Sequence, residues 1–212
     1  MIALDAPEEL VAEQIVRRDS SDLHGFVPDT SRTVLLILDL LTELDFPDGP
    51  RLRRPALAAA RRIRALVARA DRGRIPVVYV NDNIGRWRSD ARWVIARCKR
   101  EGSLGSEIAH LIEPHPHHYV VLKPKHSAFF GTPLEILLAH IGARSLVLTG
   151  VSSHQCILFT ATDAHVREYR LVVPRDCIAA PTPAQTRFAL TYFESVLGAD
   201  VRQSSRVILR RR

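Results

Sequence analysis

The sequence predicts an α/β protein: three layers, α/β/α, around a mostly parallel, doubly wound sheet of about six strands. Two observations carry this. Short apolar runs alternate along the chain with longer segments whose apolar residues recur at helical spacing. The runs are also apolar at successive positions rather than at every second one, as in strands buried on both faces.

Thr33–Asp39 (TVLLILD) is the first such run and the expected strand one. Pro55–Ala70 follows with apolar residues at Ala56, Ala60, Ile63, Leu66, Val67 and Ala70, a helical period, and Gly73 is expected to stop it. Ile75–Asn81 (IPVVYVN) is the second strand, and residues 87–98 are expected to be helical. Tyr119–Lys123 (YVVLK) is the third strand. Thr132, Pro133 and Glu135 then spell a capping box for a helix that Gly142 closes. Ser145–Val151 (SLVLTGV) is the fourth strand, followed by a helix over Cys156–Tyr169 and a fifth strand at Leu171–Val173. Thr182-Pro183 opens another helix, which Gly198 is expected to end, and a short last strand is expected near Asp200–Val201. Strand order stays open: one doubly wound order sets strand one beside strand four, another beside strand three.

The 212 residues suit a single domain over 31–212, preceded by an N-terminal extension (1–30) expected to be a short amphipathic helix. No apolar run approaches the about 20 residues of a membrane span, and the charged N-terminus lacks a signal peptide's apolar centre. Cys98, Cys156 and Cys177, odd in number and scattered, suit reduced thiols in the cytoplasm. The net charge of +7 is spread along the chain, with no zinc-finger or RNA-binding signature, so a basic solvated surface is expected rather than a nucleic-acid partner. Of the 30 basic residues only Lys99, Lys123 and Lys125 are lysines. A lysine's proton responds to burial and neighbours whereas a guanidinium's does not, which makes KPK at 123–125 a segment of interest.

Ligands of open parallel sheets bind beyond the carboxyl ends of the strands. Strand one ends there at Asp39, strand two at Asn81-Asp82-Asn83, strand three at Lys123, and strand four leads through GVSSHQ to Cys156. Cys156 opens a helix, where free N–H groups and the positive end of the dipole are expected to lower its pKa and to offer donors for an oxyanion. Asp39 could take the sulfur's proton, and Lys123 could balance both anions.

These residues resemble the isochorismatase-like cysteine hydrolases, which include nicotinamidases, N-carbamoylsarcosine amidases and ureidoacrylate or biuret amidohydrolases. The resemblance rests on LLILDLLTELDFPDG (35–49), VVYVNDNIGRWRSD (77–90), LKPKHSAFFGTPLE (122–135) and LVLTGVSSHQCILFTATDA (146–164), and covers roughly 30–205. It implies Asp39 as general base, Cys156 as nucleophile and Lys123 as the group supporting charge and proton transfer. It also implies a cis peptide at Val151–Ser152, with the Ser152 and Cys156 N–H groups facing the oxyanion. Amide or related C–N hydrolysis through a thioester, no cofactor, a small-molecule substrate and a homodimer or homotetramer follow from the same resemblance.

The sequence departs from the family's pattern twice. Metal-binding nicotinamidases carry an Asp-x-His cluster after strand two; NDNIGRW stands here, so no metal is expected at the site. The HPHH run at 115–118 lies in a polar loop before strand three and is not expected to hold one. Leu41 and Thr42 also stand where a glutamine or asparagine is usual. Asn81, Asn83, Trp87, His126, Phe129 and His154 are the candidates for the substrate pocket. Rival readings are vinyl-ether hydrolysis within the same family, a catalytically silent scaffold and a dinucleotide-binding module. GSLGSE at 102–107 follows no strand and lacks the glycine fingerprint that the last would need.

Overall fold

The computed structural model describes residue 27, residues 29–85, residue 88 and residues 90–211. The expected N-terminal helix and Trp87 lie outside the described residues. The sheet consists of β1 (Thr33–Leu38), β2 (Val77–Asp82), β3 (Tyr119–Lys123), β4 (Ser145–Val151), β5 (Arg170–Val172) and β6 (Ile178–Ala179). Every pairing is parallel, in the order β3-β2-β1-β4-β5, with β6 continuing along β4 through Gly150 and Val151 where β5 has ended. The order left open by sequence is therefore the one that sets β1 beside β4.

All six residues of β1 are buried, because both faces of this strand are covered. Leu35 and Ile37 pack into one apolar cluster with Ala56, Ala60, Ile63 and Leu66 of α1 (Gly49–Arg72). The same layer holds α2 (Ala91–Lys99) and α3 (Ser106–Leu111). Val34, Leu36 and Leu38 point the other way, toward α4 (Leu134–Ile141), α5 (Cys156–Val166) and α6 (Pro183–Ser195). Each such fully buried Leu or Ile contributes roughly 1.5–3 kcal/mol of transfer free energy. Among the described residues no helix is long and apolar enough to cross a membrane.

Several boundaries differ from the expectation for local reasons. Helix α1 begins at Gly49, and the missing N–H of Pro50 suits its first turn; Pro55, a second proline with the same signal, lies inside the helix. The capping box expected at Thr132 does not form. Its hydroxyl donates to the Ala128 carbonyl (2.6 Å) and accepts the Leu134 N–H (3.2 Å), while Glu135 pairs with Arg167. The capping box that does form joins Thr182 and Gln185 at the start of α6. Helix α5 stops at Val166, three residues earlier than expected, and α6 at Ser195, two residues before the expected end ahead of Gly198. The fifth strand runs one residue earlier than predicted, and Asp200 makes only an isolated bridge to Val172. The sixth strand is instead Ile178–Ala179, too short to show in the apolar pattern.

The basic tail folds back on the body. Arg69 of α1 donates to the carbonyls of Ser204 (2.7 Å) and Val207. Val207 is buried in the α1-side core, and the Arg32 N–H reaches the Arg211 carbonyl at 2.9 Å.

Candidate active site

The strand order reverses between β1 and β4, and the crevice at their carboxyl ends is where open parallel sheets hold ligands. Asp39 is the first residue past β1. It is not part of the strand: its φ of +52° turns the chain, a conformation that aspartate tolerates better than most residues. Cys156 is the first residue of α5, reached from β4 by a tight turn in which Ser152 O accepts the N–H groups of Gln155 (3.0 Å) and Ile157 (3.2 Å). The Val151–Ser152 peptide is cis, as the family resemblance implies.

Lys123, at the end of β3, is fully buried and reaches across β2 to both groups. Its Nζ lies 2.9 Å from Asp39 Oδ2, 3.5 Å from Cys156 Sγ and 3.0 Å from the Lys125 carbonyl. The ammonium thus forms an ion pair with the carboxylate and hydrogen bonds to the sulfur and the Lys125 carbonyl. The second Asp39 oxygen accepts the Asp82 N–H at 2.7 Å. His126 Nδ1 stands 3.8 Å from the sulfur on its open side.

The electrostatics correct one expectation. Burial pushes the Cys156 thiol up to about 12; neighbouring Asp39 adds to this and Lys123 only partly offsets it. A helix dipole supplies at most about 2 kcal/mol, less than lost hydration and an adjacent carboxylate take away. Burial and the adjacent carboxylate therefore favour the thiol form, opposite to the lowering expected from the helix start. Burial also raises the Asp39 carboxyl, against Lys123, the thiol and the Asp82 N–H, which all favour its charged form. Burial opposes charge on Lys123, but the Asp39 carboxylate beside it favours the ammonium, which is held above its usual value.

Asp39 and Cys156 border a cavity of about 460 Å³, while Lys123 is buried off its wall. Asp39, Ser152 and Cys156 form its floor; Leu41, Phe46, Pro47, Leu52, Ile84 and Pro181 make a largely apolar wall. The N–H groups of Ser152 and Cys156 take part in no backbone hydrogen bond among the described residues.

The other sequence candidates divide. His126 and His154 are on the wall, and His154 Nδ1 meets Ser152 Oγ at 3.2 Å. Asn81 also borders the cavity, but its amide is used as a bracket: it accepts the Leu41 N–H (3.1 Å) and donates to the Leu41 carbonyl (2.8 Å). That bracket fixes the chain just after Asp39. Asn83 accepts the Gly85 N–H at 2.9 Å and lies off the wall. Phe129 is buried in the core against Tyr169 and beneath the Arg167 guanidinium, also off the wall. Sequence reading missed Phe46, Pro47, Ile84 and Pro181. A phenylalanine within the acidic turn LDFPDG was the available signal for the first two; Pro181 follows the unforeseen β6 and had none.

A family profile described as an isochorismatase domain matches residues 33–204. The chain is 36% identical over 174 residues to the uncharacterized isochorismatase family protein YaaI of Bacillus subtilis, covering 82% of this chain and 95% of that one. It is 33% identical over 103 residues to ureidoacrylate amidohydrolase RutB of Methylorubrum extorquens, 48% of this chain and 42% of that protein. Among solved structures, N-carbamoylsarcosine amidase of Thermoplasma acidophilum matches with a TM-score of 0.63 at 30% identity, covering 83% of this chain and 98% of that one.

Proposed function

The chain belongs to the isochorismatase family of hydrolases, and from that premise we propose that it cleaves a C–N bond of a small amide, carbamoyl or ureido compound through a thioester on Cys156. The observation that carries the proposal is the single buried ammonium of Lys123, set between a carboxylate at 2.9 Å and a sulfur at 3.5 Å beside an open cavity.

In this reading Asp39 takes the thiol proton as sulfur attacks the carbonyl carbon. The N–H groups of Ser152 and Cys156 hold the oxyanion, and Lys123 keeps the anions of the floor balanced. Collapse breaks the C–N bond, and the departing nitrogen leaves with the proton that Asp39 holds. Asp39 then takes a proton from water as the hydroxyl attacks the thioester; the acid is released and the proton returns to sulfur. A vinyl ether needs no sulfur nucleophile, so a cysteine in this position favours acyl chemistry. The apolar wall suits a compact aliphatic or aromatic flank next to the reacting group.

An ammonia-release screen across primary amides, carbamoyl and ureido compounds tests this, with Cys156→Ala as control. Loss of a nucleophile that works with its partners as a unit should lower turnover by about 10³-fold or more. Activity that survives the substitution overturns the mechanism.

A further inference from the structure

At the opposite end of the sheet, we propose a binding site for one divalent transition-metal ion, held by His115, His117 and Asp71. Asp71 lies in the last turn of α1; the histidines occupy the connection that leads into β3. One ligand atom from each of these residues and from His118 lies within 4.8 Å of all the others. His115 Nδ1 is 3.4 Å from Asp71 Oδ2, and His117 Nε2 is 3.3 Å from Asp71 Oδ1. An ion with tetrahedral bonds of about 2.0–2.1 Å spaces its ligands by about 3.3 Å, which matches the two distances to Asp71 and asks the histidines, no more than 4.8 Å apart, to close by at most about 1.5 Å.

His118 has a different part. Its Nδ1 accepts the His115 N–H at 3.1 Å, which puts the ring proton of the neutral form on Nε2, and Nε2 donates to Asp71 Oδ1 at 2.9 Å. Both nitrogens are engaged and the ring is buried against Tyr79. His118 therefore orients the ligating carboxylate from behind, as outer hydrogen-bond partners of metal ligands do. The His115 and His117 rings are more than half exposed and keep lone pairs for the ion. Pro114 and Pro116 alternate with the histidines and restrict the loop, and a His118 N–H to His115 O turn closes it. Two imidazoles with one carboxylate suit zinc, copper, nickel or cobalt better than calcium or magnesium. The fourth position opens to solvent. The ion would tie the end of α1 to the start of β3; four residues of strand, on the order of 13 Å, separate it from Lys123. This is the same HPHH loop that sequence reading left without a metal.

The test uses tag-free, chelator-stripped full-length Cys156→Ala protein, so that the cavity thiol cannot compete. Cobalt absorption spectra give stoichiometry and geometry; zinc competition against a chromophoric chelator gives affinity. One ion per chain at micromolar dissociation constant or tighter is expected, together with a zinc-dependent rise in melting temperature. The double variant His115→Ala/His117→Ala alters only exposed rings and should keep its circular dichroism. It should bind at least about 100-fold more weakly and lose the thermal shift. Binding only at millimolar metal, or equal affinity in the double variant, overturns the site.

Discussion

The proposed mechanism turns on a single proton, that of Cys156. Burial and Asp39 hold the thiol up near 12 and Lys123 stays charged, so in that proposal the sulfur becomes nucleophilic as Asp39 removes its proton. Asp39→Asn should then lower turnover by about 10²–10⁴-fold, the range of a lost general base. In the same variant the thiol's pKa should fall, because the carboxylate that raises it is gone while Lys123 remains; thiolate absorbance against pH reads this. The pH profile follows with its sign. kcat/KM falls as pH drops through the Asp39 pKa, which burial sets above the usual carboxylate range, and stays level past about pH 9. A profile that instead climbs tenfold per unit through neutral pH means that a pre-formed thiolate is the reactive species. The trio itself was legible from sequence, since each member ends a strand or opens a helix on one rim. The thiol's protonation was not, because it depends on burial and on a carboxylate over 100 residues away in the chain.

Between strands, the contact that shapes the site is the approach of β4 to the end of β1. Gly150 has φ +116°, and a Cβ there would lie 2.0 Å from the Leu38 carbonyl oxygen, one residue before Asp39. Gly150→Ala should cost about 3 kcal/mol or more, from backbone strain and a clash against main chain. Thermal unfolding should show a drop of at least about 6 °C, accompanied by reduced activity. A stable, active alanine variant would show that β4 has room to shift. Five of the six described helices and five of the six strands were legible from their apolar periods; α3, only six residues long, was not, because it spans less than two turns. The misplaced starts at Pro55 and Thr132 came from reading residues that can cap or open a helix as if each did so. Phe129 and Asn83 were drawn toward the pocket by proximity in sequence, yet the core claims one and a turn the other.

The molecule as a whole is closed by its own C-terminal segment, which lies over α1 and ends beside Arg32. This docking was not legible in the sequence, since the segment's apolar members, Val207 and Leu209, are few and the carbonyls that Arg69 binds leave no mark there. Arg69→Ala removes two charge-assisted bonds from a partly buried site, a loss of about 2 kcal/mol after solvent takes its share. For a chain of this size the melting temperature should fall by about 4–8 °C with activity retained at moderate temperature. No measurable change would mean that the tail is held by its apolar contacts alone. Strand order too needed the whole molecule, because β1 meets β4 across more than 100 residues that no local pattern links. The cavity shows a related division. Its reacting groups stand at strand ends and a helix start, but its wall is recruited from separate connections: Leu41 and Phe46 after β1, Ile84 after β2 and Pro181 after β6. If the proposed function holds, substrate preference can therefore drift, or be redesigned, one loop at a time while the chemistry beneath it is inherited unchanged.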